Sequence, residues 1–150
     1  MTNQLQLYKA VELFNGLTNE QIEALITISQ EEVYQEDQVI FSQDDEGEKM
    51  YIIRSGQVEI SVQADRQAPA ETKIFLGQGQ IFGEIALIDY GTRSATVRAM
   101  NDETIVDAIH RDSFNQLCQS STAIGFVVMR NLAIDLSYKL RHQNLRSTKR

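Results

Sequence analysis

Between Glu31 and His110 the chain is broken into short apolar runs that suit strands far better than helices. Val39-Ile40-Phe41, Met50-Tyr51-Ile52-Ile53 and Val58-Glu59-Ile60-Ser61-Val62 are rich in β-branched and aromatic residues, and residues 72–76, 95–100 and 104–109 continue the series. Turn-forming residues stand between them: Asp44-Asp45-Glu46-Gly47, Ser55-Gly56, the loop 64–71 around Pro69, and Asn101-Asp102. The run from Val58 alternates, which predicts Val58, Ile60 and Val62 inward and Glu59, Ser61 and Gln63 outward. Many short strands at this spacing point to an antiparallel sandwich or barrel.

Helical patterns lie on both sides. Residues 4–13 read as a short helix, and Thr18-Asn19-Glu20-Gln21 has capping-box spacing for a second, with Ile22, Leu25 and Ile26 on one face. Ser113-Phe114-Asn115-Gln116 repeats that spacing and predicts a short helix ending near Cys118. A longer helix is expected from about Thr122 to about Asn144, with Val128, Leu132, Leu136 and Leu140 in one row. That row suits a core face or a dimer seam. The order is α+β, and 150 residues fit one domain. Its expected parts are N-terminal helices (1–30), a β-rich body (31–110), C-terminal helices (111–144) and a frayed basic tail (145–150).

Charge narrows the function. Fourteen basic residues stand against 21 acidic ones, and five of the basic ones (Lys139, Arg141, Arg146, Lys149, Arg150) lie unopposed at the end. The first 138 residues carry a net −12. A body so acidic does not suit a free-standing nucleic-acid binder, so no direct DNA binding is expected. Cys118 is the only cysteine, which excludes an internal disulfide and a cysteine-built zinc site. The start, MTNQLQLYKAVELF, lacks the basic region and long apolar core of a signal peptide, and no apolar run is long enough to span a membrane. A cytoplasmic location is expected. His110 and His142 show no metal-ligand spacing, so no metal site is expected. With no paired carboxylates and no base beside a nucleophile, neither is catalysis.

The segment that carries chemistry is 82–99, FGEIALIDYGTRSATVRA. Gly83 permits close backbone approach to a ligand. Glu84-Ile85-Ala86-Leu87 is a short helix-forming run whose first N–H groups have no partner within the turn. Arg93 supplies a guanidinium suited to bidentate phosphate recognition. Ser94 and Ala95 are expected to start a strand and to offer a hydroxyl and further N–H groups. Glu84 only accepts hydrogen bonds, so beside an anion site it needs a hydroxyl or a cation. A carboxylate for a sugar hydroxyl and an arginine for a phosphate together describe a ribose-phosphate ligand.

This segment resembles the phosphate-binding cassette of the cyclic nucleotide-binding domain family, which includes catabolite activator proteins, regulatory subunits of cAMP-dependent protein kinase and cyclic-nucleotide-gated channels. Gly83-Glu84, Ala86-Leu87, Arg93 and Ala95-Thr96-Val97 fit its spacing without a gap. Leu13-Phe14-Asn15-Gly16-Leu17, the stretch Met50 to Val58, and Arg130-Asn131-Leu132-Ala133 with Leu136 and Leu140 extend the likeness over nearly the whole chain. The resemblance implies an eight-stranded antiparallel β-roll, a jelly-roll-like double-stranded β-helix, with N-terminal helices and a long C-terminal lid helix. It implies ligand contacts from Phe82, Gly83, Glu84, Ile85, Ala86, Arg93, Ser94 and Ala95: Glu84 on the ribose 2′-hydroxyl, Arg93 on the cyclic phosphate, and the N–H groups of Ile85, Ala86 and Ala95 completing the cradle. Leu87 is implied as the latch that passes cassette movement to the helices. Tyr138, Lys139, Arg141 and His142 are lid or base-contact candidates.

The implied function is a non-catalytic sensor of a cyclic nucleotide, cAMP favoured over cGMP, with no other cofactor. It would relay binding through its C-terminal helix to a partner in trans or to its own dimer. The cationic groups near the lid leave open a cyclic dinucleotide such as c-di-GMP, and a ligand-free interaction module is the remaining alternative. Two departures from the family stand out. Asp44 occupies a turn position usually held by glycine, at an expected modest cost since aspartate tolerates the left-handed conformation. No helix-turn-helix follows the lid helix within these residues.

Overall fold

The short runs of the middle segment all become strands. The computed structural model describes residues 3–148, with side chains as far as residue 142. Eight strands form two four-stranded sheets in which every pairing is antiparallel. One sheet contains β1 (Gln30–Tyr34), β8 (Thr104–His110), β3 (Lys49–Ser55) and β6 (Ile81–Phe82), in the order β1-β8-β3-β6. The other contains β2 (Val39–Phe41), β7 (Thr96–Ala99), β4 (Val58–Val62) and β5 (Glu71–Leu76), in the order β2-β7-β4-β5. Spatial neighbours distant in sequence make this the expected roll. Strands β1 and β6 escape sequence reading, because QEEVY is mostly polar and β6 is two residues long.

Helices cover one end: α1 (Gln4–Lys9), α2 (Asn19–Ile28), α3 (Arg111–Ser120) and α4 (Thr122–Thr148). The Thr18 capping box forms in full, its side chain accepting from the Gln21 N–H while Gln21 accepts from the Thr18 N–H. Among the described residues no helix is long and apolar enough to cross a membrane.

Strand β3 divides the core. Its side chains alternate, so Met50 and Ile52 join the helices while Tyr51 and Ile53 face into the roll. The helical cluster includes Leu13, Phe14, Leu25, Phe114, Ile124, Val128 and Leu132; the roll cluster includes Val58, Val97 and Val106.

Four sequence expectations change. Residues 4–13 are not one helix: α1 stops at Lys9, Val11 is extended, and Glu12–Phe14 form a 3₁₀ turn. In a continuous helix Leu13 points away from the face that buries Leu7, Tyr8, Val11 and Phe14; the break buries them all. Ser113 does not cap α3. That helix starts at Arg111 and uses His110, whose Nδ1 accepts from the Asp112 N–H at 3.1 Å. Ser61, not Val62, is the buried residue of that pair, at the point where Lys73 of β5 is left out of the pairing with β4. The last strand of the cassette starts at Thr96, with Ser94 and Ala95 in a bend before it.

Helix α4 continues to Thr148, past Asn144. The Arg146 side chain and all of Lys149 and Arg150 lie outside the described residues. Along the predicted apolar row, Val128 and Leu132 are buried, Leu136 is partly buried and Leu140 is 58% exposed, so the helix leaves its own core near Leu136.

Candidate functional site

The cassette joins the two cores. Phe82, at the end of β6, is buried in the roll cluster; Leu87, five residues on, is 2% exposed in the helical cluster. Between them Gly83 takes φ +72°, which starts the 3₁₀ turn Glu84–Leu87. A Cβ at Gly83 would lie 2.7 Å from Arg93 Nη1 and 3.1 Å from the Lys49 carbonyl oxygen, so only glycine fits here without strain.

Arg93 is placed from both sides. Its N–H donates to the Asp45 carbonyl at 2.7 Å, and its carbonyl accepts from the Asp44 N–H at 2.8 Å. Asp44 stands at φ 76°, the left-handed conformation expected for it. The Arg93 side chain then runs inward to 8% exposure. Its Nη2 donates to the Lys49 carbonyl at 2.7 Å and its Nη1 to the Gly83 carbonyl at 3.3 Å. The guanidinium lies 3.9 Å over the Phe41 ring, within a cluster formed by Phe41, Tyr51 and Phe82. Arg93 Nε has no hydrogen-bond partner, and among the described residues no carboxylate pairs with this cation. Burial pulls its pKa below the ordinary guanidinium value.

Glu84 faces a different space. A cavity of about 920 Å³ opens between residues 10–15, the β5–β6 connection and α4, with Glu84, Gln80, Ile134, Asp135, Tyr138 and Lys139 among its walls. Arg93 is not one of them. Lys139 Nζ bridges α4 to the cassette, 3.3 Å from Glu84 Oε1 and 2.9 Å from Asp135. Against a desolvation penalty, Asp135 and Glu84 hold the Lys139 ammonium above its ordinary pKa.

Of the other expected contacts, Ile85 and Ser94 are exposed, Ala86 is buried and Ala95 is half-buried. The Ala86 N–H donates to the Gly83 carbonyl at 3.1 Å, so within the turn it is already partnered. Among the lid candidates, Tyr138 and Lys139 reach the Glu84 cavity. Arg141 lines a shallower hollow of about 400 Å³ with Arg130, Ile134 and Tyr138. The His142 ring centroid stands 4.1 Å from that of Tyr138.

Sequence reading missed Phe41 under Arg93, the Lys49 carbonyl, and Arg111. They come from three other segments, and no local spacing connects them to the cassette. Arg111 is as buried as Arg93, and its Nη1 donates to the carbonyls of Gly47, Ala86 and Asp89.

Residues 31–121 match the family model described as the cyclic nucleotide-binding domain. The chain is 31% identical over 137 residues to the Cyclic AMP receptor protein of Thermus thermophilus, covering 91% of this chain and 61% of that protein. It is 30% identical over 107 residues to a cGMP-dependent protein kinase of Caenorhabditis briggsae, covering 71% of this chain and 14% of the kinase. The crystal structure of the Thermus thermophilus catabolite activator protein superposes with a TM-score of 0.81 over 91% of this chain and 62% of that one. A cyclic nucleotide-binding domain from Methylobacillus flagellatus superposes at 0.80 with 25% identity, covering 95% of this chain and 79% of that one. The chain therefore spans under two thirds of the curated relatives named here.

Proposed function

Because the chain belongs to the cyclic nucleotide-binding domain family, we propose that it is a non-catalytic sensor that binds a cyclic nucleotide, cAMP in preference to cGMP. Arg93 carries the reading. A buried guanidinium with no carboxylate partner and an unsatisfied Nε is a costly arrangement that an anion would relieve. Arg93 takes the cyclic phosphate by exchanging backbone carbonyls for charged oxygens, a stronger acceptor. Glu84 takes the ribose 2′-hydroxyl, and in doing so gives up its contact with Lys139. The N–H groups of Ile85, Ala86 and Ala95 complete the cradle, and Ala86 must leave Gly83 to join it. The likeness to a Cyclic AMP receptor protein, at 31% identity over 137 residues, is what supports the adenine preference.

The signal leaves through Leu87. A shift of the turn around the ligand moves a side chain buried in the same cluster as Phe114 of α3 and Val128 of α4, which changes the α4 surface presented to a partner in trans or to a second copy. The net −12 of the first 138 residues offers DNA no attraction, so the output of these residues is a protein contact.

Calorimetry tests the reading. The protein binds cAMP saturably and more tightly than cGMP, and Arg93→Gln weakens cAMP binding about 30–150-fold, as expected for loss of about 2–3 kcal/mol from a charged contact. The same titration with c-di-GMP separates the dinucleotide alternative, and no heat with any of the three at sub-millimolar concentration overturns the proposal.

A further inference from the structure

Arg111 is in an unfavourable place for a stabilising residue. It is the first residue of α3, where a cation opposes the helix dipole. It is 8% exposed, its Nε has no partner, and among the described residues it forms no ion pair. Its contacts explain the position. Nη1 donates to the carbonyls of Gly47 at 2.9 Å, Ala86 at 3.1 Å and Asp89 at 3.2 Å. Its backbone N–H donates to the Glu48 carbonyl at 2.8 Å, and its guanidinium lies 3.9 Å over the ring of Tyr90.

These partners belong to the two walls around Arg93. Ala86, Asp89 and Tyr90 belong to the cassette. Gly47 lies against Arg93 itself: a Cβ there would be 3.1 Å from Arg93 Nε. One side chain thus ties the 3₁₀ turn to the loop that flanks Arg93, and does so from α3, which packs on both that turn and α4. The Arg111 charge adds to the pull of burial that lowers the Arg93 pKa, against the opposing charge of Asp45, so a second cation lies close to Arg93.

We propose that Arg111 is the positioning residue of the cassette: it sets the placement of the 3₁₀ turn relative to Arg93 and transmits occupancy of the site to α3 and α4. The inference rests on the ligand reading above. Calorimetry with cAMP, and amide hydrogen exchange of α3 and α4 with and without saturating cAMP, are compared for the wild-type protein, Arg111→Met and Arg111→Lys. Arg111→Met is expected to bind at least about tenfold more weakly. At saturation its α4 peptides lose the ligand-induced protection seen in the wild type, a change that a merely structural anchor would not produce once the site is full. Arg111→Lys keeps the charge and a donor, and recovers affinity to within about threefold with partial protection.

Wild-type affinity or full α4 protection in Arg111→Met overturns the proposal. If circular dichroism shows Arg111→Met unfolded, Arg111→Lys decides: about threefold weaker binding with reduced α4 protection supports it, and wild-type behaviour overturns it. A wild-type protein that binds no cyclic nucleotide overturns the ligand reading instead.

Discussion

Two buried charges, Asp107 and Arg93, are handled in opposite ways. Asp107, on β8, is 1% exposed and well partnered: Oδ2 accepts from Tyr8 Oη at 2.8 Å and Gln4 Nε2 at 2.9 Å, and Oδ1 lies 3.3 Å from Arg54 Nη1. Arg93 is 8% exposed, has no ion-pair partner among the described residues, and keeps one nitrogen unbonded. Burial alone therefore does not mark function. A satisfied charge ties elements together, here α1 to the β1-β8-β3-β6 sheet, whereas Arg93 keeps a donor free for the cyclic phosphate proposed above.

The contrast breaks if the two residues exchange phenotypes. Arg93→Gln is expected to have the largest effect, the loss of cAMP affinity given above, with the melting temperature of the ligand-free protein little changed. Asp107→Asn is expected to do the reverse. It weakens a charged hydrogen-bond network, costs about 2 kcal/mol and lowers Tm on the order of 4–8 °C, with affinity within about twofold of wild type. Differential scanning calorimetry and titration on both variants decide the matter, and equal effects on both readouts would erase the distinction.

Gly83→Ala sharpens the Arg93 side. A left-handed backbone costs a non-glycine residue about 1–2 kcal/mol, and the added methyl meets the guanidinium. Both stability and cAMP affinity are expected to fall, the latter about tenfold by calorimetry.

Alkaline pH probes the Asp107 side. Burial, with the Asp107 charge beside it, pushes the Tyr8 phenol well above its ordinary value of 10.0. Tyr34 is raised by burial and by Glu32. A raised phenol keeps its proton in the folded state while the unfolded chain ionises. Its contribution is therefore complete below pH 10 and lost as pH rises further. Denaturant midpoints should hold from pH 8 to about 9.5 and fall beyond 10, and Tyr8→Phe should flatten that fall while lowering the plateau.

The smallest effect is expected at the lid. Lys139→Ala removes the cation that Glu84 would have to leave in the proposed ribose contact, so cAMP affinity is expected to rise about twofold, the scale of an exposed ion pair. A loss of affinity would instead make Lys139 a direct ligand contact.

Much of this protein was legible from local chemistry. Strand runs, the Thr18 capping box, the left-handed Asp44 and the Gly83-to-Arg93 spacing each depend on residues close in sequence, where period, turn preference and side-chain type decide the outcome. Two of the misreadings share a cause: a distant partner overrode a local preference. The first helix breaks and Leu13 is buried, and the Glu48 carbonyl receives the N–H of Arg111, where α3 begins.

The sequence by itself determined the roll of short strands, the helical ends and the place of Arg93 ten residues after Gly83 in the cassette. Only the tertiary structure decided what surrounds it. Phe41, the stretch from Gly47 to Lys49, and Arg111 come from three separate segments; the first two meet at Arg93 and Arg111 joins them through the Gly47 carbonyl, because closing the two sheets and docking the helices brings their backbone carbonyls and rings together. Distances of that kind are set by packing, which no spacing along the chain encodes.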